Sequence, residues 1–315
     1  MEMAMTGDLE NPIFTDETKA REWLESVRWP DGPYCPHCGS VEKITKLEGK
    51  SHRPGLYKCN QCAGHFSVTV GTVYERSHIA LNKWLLATHL LTASKKGISA
   101  HQLHRMLGVT YKSAWFMCHR IREGMADSNP GPLGGEGKAV EADETFQGPG
   151  KAVFTDKGWQ MEQGTGGHRK VVTLVERKGR ARSFVVTDFK AKTIREVLVT
   201  NVDRKSDLNT DEARHYMNTG KEFAKHETVK HSAKEYARGS AHINTAEGFF
   251  SIFKRGMIGT YQHCGEQHLH RYLAEFDFRY SNRTALEVTD AERRDIALKG
   301  ISGKRLTYRR INERA

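Results

Sequence analysis

The chain has 315 residues, a formal net charge of +11 and a pI near 9.3: room for two or three domains, and a basicity suited to a polyanionic partner such as nucleic acid. Its longest apolar run, residues 84–91, is too short for the ~20 residues a membrane span needs. An N-terminus carrying Glu2, Asp8 and Glu10 lacks the basic-then-apolar pattern of an export signal.

Residues 14–28 read as a helix. Thr15 or Asp16 can cap its start, Trp23, Leu24 and Val27 recur at helical spacing, and Trp29-Pro30 ends it. Then come Cys35-Pro36-His37-Cys38 and Cys59-Asn60-Gln61-Cys62, with 20 residues between the pairs. Each pair puts two thiolates on one tight turn, and two such turns complete a tetrahedral Zn²⁺ shell. Short strands at 44–47 and 56–58 make the segment a zinc ribbon. Four protein ligands leave no open position, so the metal is expected to be structural. His37, His52 and His65 read as surface residues. Four of the six cysteines in tight pairs also point to a reducing, cytosolic compartment. Cys118 and Cys264 are expected to be buried thiols.

From Ile79 the spacing turns helical, through Leu81, Trp84, Leu85, Thr88 and Leu91. Residues 98–115 carry a helix-turn-helix pattern: Ser99 caps a short helix, Gly108 permits the turn, and Thr110 caps the next helix. Leu103, Leu107, Val109, Ala114 and Ile121 form the apolar seam. Tyr111, Lys112, Ser113, His119 and Arg120 fall on or near the second helix, with Lys112, Ser113 and Arg120 the expected DNA contacts. A helical hairpin that touches no DNA fits the same pattern. The basic balance and the adjoining ribbon favour DNA binding.

Residues 124–137, rich in Gly, Pro, Asn and Ser, read as a linker. Residues 138–143 form a strand. The glycine-rich stretch 148–167 lacks the Gly-Lys-Ser/Thr ending of a phosphate loop and is expected to be a flexible surface loop in a β-hairpin. Strands follow at 170–176 and 182–187, a short helix at 194–199, and a strand end at 208–211. Residues 244–254 read as an amphipathic helix with Phe249, Phe250 and Phe253 in its apolar stripe, and Asn244, Glu247 and Lys254 on another face. Three strands, a helix, a strand and further helices match the order of a ribonuclease-H-like α/β fold, an order other α/β folds also permit.

Asp143 on the first strand, Asp211 at a strand end and Glu247 on the helix form an ordered acidic set. Thirty-five residues separate the last two, and Lys254 stands seven places after Glu247. The set resembles the DDE signature of transposases and integrases. Magnesium prefers oxygen ligands, and two ions can serve the attacking and leaving oxygens of an in-line phosphoryl transfer, which accounts for three acids. On that reading Asp143 bridges two Mg²⁺ (or Mn²⁺) ions, Asp211 and Glu247 complete the set, and Lys254 and Arg255 meet DNA. Glu144 and Glu212 are set aside because neighbours on a strand face opposite ways. Asn244, one turn before Glu247, is the rival for the third place. Histidines 226, 231, 242, 263, 268 and 270 lack compact ligand spacing and read as phosphate-contacting or surface residues.

Several further blocks resemble ISXO-type bacterial insertion-sequence transposases: Trp29-Pro30-Asp31-Gly32 before the first cysteine pair, Val70-Gly71-Thr72-Val73, Asp143-Glu144-Thr145, Thr210-Asp211-Glu212 and His226-Glu227-Thr228-Val229. The fullest block is 242–256, continued by Gly259-Thr260-Tyr261 and Phe276-Asp277-Phe278-Arg279-Tyr280. The resemblance spans roughly residues 20–283. It implies a cut-and-join reaction on terminal inverted repeats by a ribonuclease-H-like domain. Its implied partners are double-stranded DNA, as transposon ends and target, and further copies of the chain assembled on DNA in the bacterial cytoplasm, on the nucleoid. The expected boundaries are an N-terminal helical segment to residue 30, the ribbon at 31–70, a helix-turn-helix region at 71–128, the catalytic domain at 136–288 and a basic tail at 289–315. The last 17 residues hold six Lys/Arg against one Glu and suggest a disordered, phosphate-binding tail. A non-catalytic DNA-binding regulator is the competing reading, disfavoured by the acidic set. A nuclease of the same fold that only hydrolyses would use the same carboxylates.

Overall fold

A computed structural model describes residues 8–128, 130–148, 152–156, 158–161 and 168–307. The chain forms two compact units: residues up to 126 together with those from 288 onward, and residues 127–287.

The first unit begins with α1 (Glu17–Arg28), whose N-cap Asp16 accepts from the amides of Thr18 and Lys19 at 2.7 and 3.0 Å. An antiparallel ribbon follows, in the order β1 (Ile44–Leu47), β2 (Leu56–Cys59), β3 (His65–Phe66). Trp29 sets its ring edge-on to Tyr57 and Phe66, with centroids 5.3 and 6.0 Å away, and the Tyr57 hydroxyl donates to Glu25 at 3.0 Å. The ribbon is thereby fastened to α1. Helix α2 (Leu81–Ala93) buries residues on most of its circumference and forms the centre of the unit. Helices α3 (Ala100–Leu107) and α4 (Tyr111–Met125) are joined by Gly108, which takes a left-handed conformation (φ 61°) that a side chain would disfavour. Ser99 and Thr110 cap them, accepting from the amides of Gln102 and Ser113 at 3.1 Å each.

Residues 288–307 depart from the sequence expectation of a basic tail. The segment Asp290–Lys299 is a helix opened by a Thr289/Glu292 capping box and packed against α1, α2 and α4. Beyond it, Ile301 accepts from the Val73 amide at 3.2 Å and Gly303 donates to Gly71 at 2.9 Å. Two arginines of this helix are enclosed rather than solvated. Arg293 is buried and donates to the Thr92 carbonyl at 3.3 Å, and Arg294 lies over the rings of Phe14 and Trp23 at 5.8 and 5.3 Å. Long basic side chains can bury their stems and spend their donors on carbonyls, which composition does not reveal. Residues 308–315 lie outside the described residues.

The second unit is built on a five-stranded mixed sheet. In chain order its elements are β4 (Ala139–Gln147), the hairpin β5 (Ala152–Thr155) and β6 (Gly158–Met161), β7 (Arg169–Glu176), β8 (Ala181–Val186) and α5 (Ala191–Asn201). Next are β9 (Asp207–Asp211), β10 (Lys225–Val229), the two-stranded β11 (Ala237–Arg238) and β12 (Ala241–His242), α6 (Asn244–Gly256) and α7 (Leu269–Ser281). The sheet order is β10-β9-β4-β7-β8, with β4, β7 and β8 antiparallel to their neighbours and β4, β9 and β10 parallel. Much of the glycine-rich stretch falls outside the described residues, but the β5–β6 hairpin is within it.

Strand alternation sends side chains to two cores. Val171 and Val175 pack with Phe249 and Phe253 of α6 and Leu273 and Phe276 of α7. Val140, Ala142, Val172 and Leu174 pack on the other face with Ile194 and Leu198 of α5 and with Tyr216. Cys118 and Cys264 are buried, each in its own unit. No helix among the described residues is long and apolar enough to cross a membrane.

Candidate functional sites: a cysteine cage and a carboxylate cluster

In the first unit the four cysteines of the ribbon converge. Sγ of Cys35 lies 3.7 Å from Sγ of Cys62, and Sγ of Cys38 lies 3.7 Å from that of Cys59. A Zn–S bond of ~2.3 Å in a tetrahedron gives an S···S edge of about 3.8 Å, so the cage fits zinc. Gly64 explains part of the turn: a Cβ there would stand 2.9 Å from the His37 ring and 3.3 Å from Cys62 Sγ. His37 directs Nε2 to the His65 carbonyl at 3.3 Å and stays outside the four-sulfur set.

In the second unit the register of the parallel strands builds the acidic site. β4 pairs with β9 from Ala139↔Asp207 to Glu141↔Asn209, and there the pairing stops. Continued two places, the same register would set Asp143 level with Asp211. Asp211, the last residue of β9, is still paired with Val229 of β10. The strands therefore part where the two aspartates stand, at the carboxyl end of β9, the edge at which open α/β sheets bind ligands. Carboxylate oxygens of Asp143, Glu144 and Asp211 all lie within 4.8 Å of one another. Asp143 Oδ1 accepts from the Glu144 amide at 2.8 Å, and Asp211 Oδ1 from the Ala213 amide at 3.0 Å.

Burial pushes the Asp143 carboxyl up to about 7, with the negative charges of Glu144, Asp211 and Glu247 adding to the shift against the bond from the Glu144 amide. Crowded oxygen donors of one sign, half-buried, suit a hard divalent cation. Glu144 corrects the alternation argument that set it aside. It sits where β4 has left β9, and its carboxylate joins the cluster while also touching His215. Glu212 turns away, accepting from the amide and hydroxyl of Ser232 at 3.0 and 2.9 Å.

Glu247 is not in the tight cluster. Its side chain is 44% exposed and its Oε1 lies 3.8 Å from Nε2 of His231. Asn244, the first residue of α6, is exposed, as are Lys254 and Arg255 near the helix end, where Arg255 Nε donates to the Ser251 carbonyl at 3.0 Å. Seven residues of helix put Lys254 about 10 Å along the axis from Glu247. The histidines do not assemble into a metal group among the described residues. His226 faces Thr210 Oγ1 at 3.0 Å, and His242 Nδ1 lies 3.1 Å from Glu141.

The expected DNA contacts on α4 divide. Lys112 is exposed and Ser113 half-buried at the first turn, beside Tyr111, whose ring stacks on His101 at 4.1 Å. Arg120 is different and the expectation for it is corrected: it is buried, donates to the Glu75 carbonyl at 2.6 Å and lies over the rings of Trp84 and Phe116 at 5.3 and 5.6 Å. Only the start of α4 is on the surface, because from Met117 onward the helix runs through the core of the unit.

The residues that sequence reasoning missed are Glu141 and Arg177. Glu141 is fully buried, accepts from Arg177 Nε at 2.6 Å, and binds the amides of Thr245 and Ala246 at 2.8 and 3.0 Å. A charged residue two places before Asp143, on the same strand face, was the available signal.

A four-cysteine metal module joined to a mixed-sheet α/β domain centred on clustered acids is the class of protein these two sites define. Residues 132–281 match the model of the ISXO2-like transposase domain, and residues 15–65 that of the transposase zinc-ribbon domain. Together the matches span well over half of the chain, which belongs to this family of insertion-sequence transposases. An uncharacterised protein in transposable element ISH50 of Halobacterium salinarum is 28% identical over 283 residues, covering 84% of this chain and 91% of its own. Among solved structures, a chain of the simian T-cell lymphotropic virus intasome in complex with PP2A regulatory subunit B56 gamma is 11% identical with a TM-score of 0.26. The comparison covers 56% of this chain and 63% of that one.

Proposed function

We propose that the chain is a DNA transposase that binds the terminal inverted repeats of an insertion sequence and carries out divalent-metal-dependent strand cleavage and strand transfer. The observation that carries this reading is the acidic cluster where β4 parts from β9, in a chain of the ISXO2-like family. The sheet order, three antiparallel strands continued by two parallel ones, supports a ribonuclease-H-like reading of the second unit. The capped α3–α4 pair supports a helix-turn-helix reading of the first, with Lys112 and Ser113 at the start of the recognition helix.

Asp143 and Asp211 would hold Mg²⁺ or Mn²⁺, with Glu144 close enough to share in the site and Glu247 completing it from α6. When bound, a metal pair supplies Lewis-acid stabilisation of the attacking and leaving oxygens of an in-line transfer. The chain's own part is to set its acids at fixed positions and to bind the DNA. Lys254 and Arg255 would take phosphates beside the centre, and the cysteine cage would hold a structural Zn²⁺. Copies of the chain would pair the two ends on DNA in the cytoplasm.

The test uses purified full-length chain, end-bearing duplex DNA and Mg²⁺ or Mn²⁺. Asp143→Asn, Asp211→Asn and Glu247→Gln should each abolish cleavage and joining while end binding persists, since removing one of a cooperating set can cost most of the activity. Asn244→Ala should be milder. Equal loss in Asn244→Ala and Asp143→Asn, with an active Glu247→Gln, would transfer the third place to Asn244. Intact ends that are cleaved while pre-cut ends are never joined to target would leave a hydrolytic nuclease, and a wild type inert in both assays would leave a DNA-binding regulator.

A further inference from the structure

Helix α6 begins without a cap of its own. Its N-cap residue is Ile243, which offers no side-chain acceptor, so the first amides of the helix need a partner from elsewhere. The partner is Glu141 on β4, 104 residues before Thr245. Its Oε2 accepts from the amides of Thr245 and Ala246 at 2.8 and 3.0 Å, and its Oε1 accepts from the Thr245 hydroxyl at 2.9 Å. The same Oε1 accepts from Arg177 Nε at 2.6 Å and lies 3.1 Å from His242 Nδ1. Arg177 in turn donates to the carbonyls of Ser240 and His242 at 2.8 Å each, holding the turn that leads into α6.

This carboxylate occupies a particular place. Asp143 stands two residues beyond it on the same face of β4, and Glu247 stands two residues beyond Thr245 on α6. A negative group at a helix N-terminus is favoured by the orphan amides and by the helix dipole, and charge-assisted bonds of this kind are short and directional. Glu141 is fully buried, so solvent does not compete for it. We infer that Glu141 is a positioning residue: it locks the start of α6 to β4, and so fixes where Glu247 stands relative to Asp143. The inference rests on the proposed metal-dependent chemistry for its catalytic consequence, though its structural part does not.

Two measurements on the full chain test it. In hydrogen exchange, Glu141→Gln should speed exchange of the Thr245 and Ala246 amides while the α7 amides stay protected; unchanged protection at those two amides overturns the inference outright. In single-turnover cleavage of end-bearing DNA with Mn²⁺, below the melting temperature of every variant, Glu141→Gln should be slower by roughly ten- to a hundredfold at saturating DNA, because a misplacement near 1 Å can cost that much. DNA affinity should stay within about twofold. Thr245→Val, which keeps shape and both amide bonds but loses the hydroxyl, should cost roughly three- to tenfold and guards against a Glu141 variant that fails to fold. Slowing that tracks the loss of melting temperature, with no fast amides at 245–246, would mean general stabilisation and would overturn positioning. If Asp143→Asn is dead and Glu141→Gln runs at the wild-type rate, positioning is again overturned. If the wild type and Asp143→Asn are equally inert, the functional reading fails instead, and the exchange data alone decide whether Glu141 holds the helix.

Discussion

Asp277 makes the stability of the second unit depend on pH in an unusual direction. It lies on α7 and is held by Ser183 of β8, whose amide and hydroxyl donate to its two oxygens at 2.8 and 2.7 Å. Ser183 Oγ also meets Thr173 Oγ1 at 2.9 Å, so the carboxylate ends a chain of hydroxyls crossing the sheet. Burial pushes Asp277 up to about 7 from an ordinary 3.8, against the opposing pull of the Ser183 bonds and of nearby Arg182. A folded value above the unfolded one means that the folded state holds the proton more tightly. The stabilisation is complete below the unfolded value and is lost as pH rises through the folded one. The span from 3.8 to about 7 corresponds to a ceiling of about 4 kcal/mol. The residue as a whole is only half-buried, and solvent screening should reduce the effect to about 1–2 kcal/mol. Asp277→Asn keeps an acceptor for the Ser183 amide and removes the charge. Urea unfolding of the second unit at pH 5 and pH 8 should therefore find the wild type losing stability relative to the variant as pH rises. A difference between the two proteins that is constant from pH 5 to 8 would refute the argument, as would a variant favoured at the acid end.

Freshly purified chain should carry one zinc per molecule by elemental analysis, and Cys59→Ser should lose it together with protection of residues 31–70 in hydrogen exchange. Lys112→Ala should leave melting unchanged and make the salt dependence of DNA binding shallower by about one unit if the lysine meets a phosphate. Arg120→Ala should act on folding instead, costing on the order of 2–4 kcal/mol by chemical denaturation through its lost carbonyl bond and ring packing. Gly300→Ala should destabilise the first unit by roughly 1–3 kcal/mol, because the added Cβ would stand 2.3 Å from the Gly124 carbonyl oxygen. Melting curves that do not move would return residues 289–315 to the status of a dispensable tail.

What could be read from the sequence follows the range of the interactions. The zinc cage was legible because its geometry is set within two four-residue turns. The caps Asp16, Ser99 and Thr110 were legible because each bonds an amide two or three residues away. Asp143 and Asp211 were legible through local strand context and family resemblance, although the fact that joins them, the register at which β4 leaves β9, links positions 68 residues apart. The errors are of one kind. Arg120 was assigned to DNA, and Arg293 and Arg294 fell within a segment read as a basic tail, yet carbonyls and aromatic rings brought by distant segments enclose all three. Glu144 was ranked below Asp143 because neighbours on a strand face opposite ways, yet beside the gap where β9 has parted from β4 its carboxylate comes within reach of those of Asp143 and Asp211. Glu141 was passed over because nothing within ten residues of it shows that it will meet a helix start 104 residues on. That omission bears on the chemistry most directly. The DDE pattern names the acids that would hold a metal, but their mutual placement depends on the bonds between the elements that carry them. In this chain the junction of β4 and α6 is made by a carboxylate outside the motif.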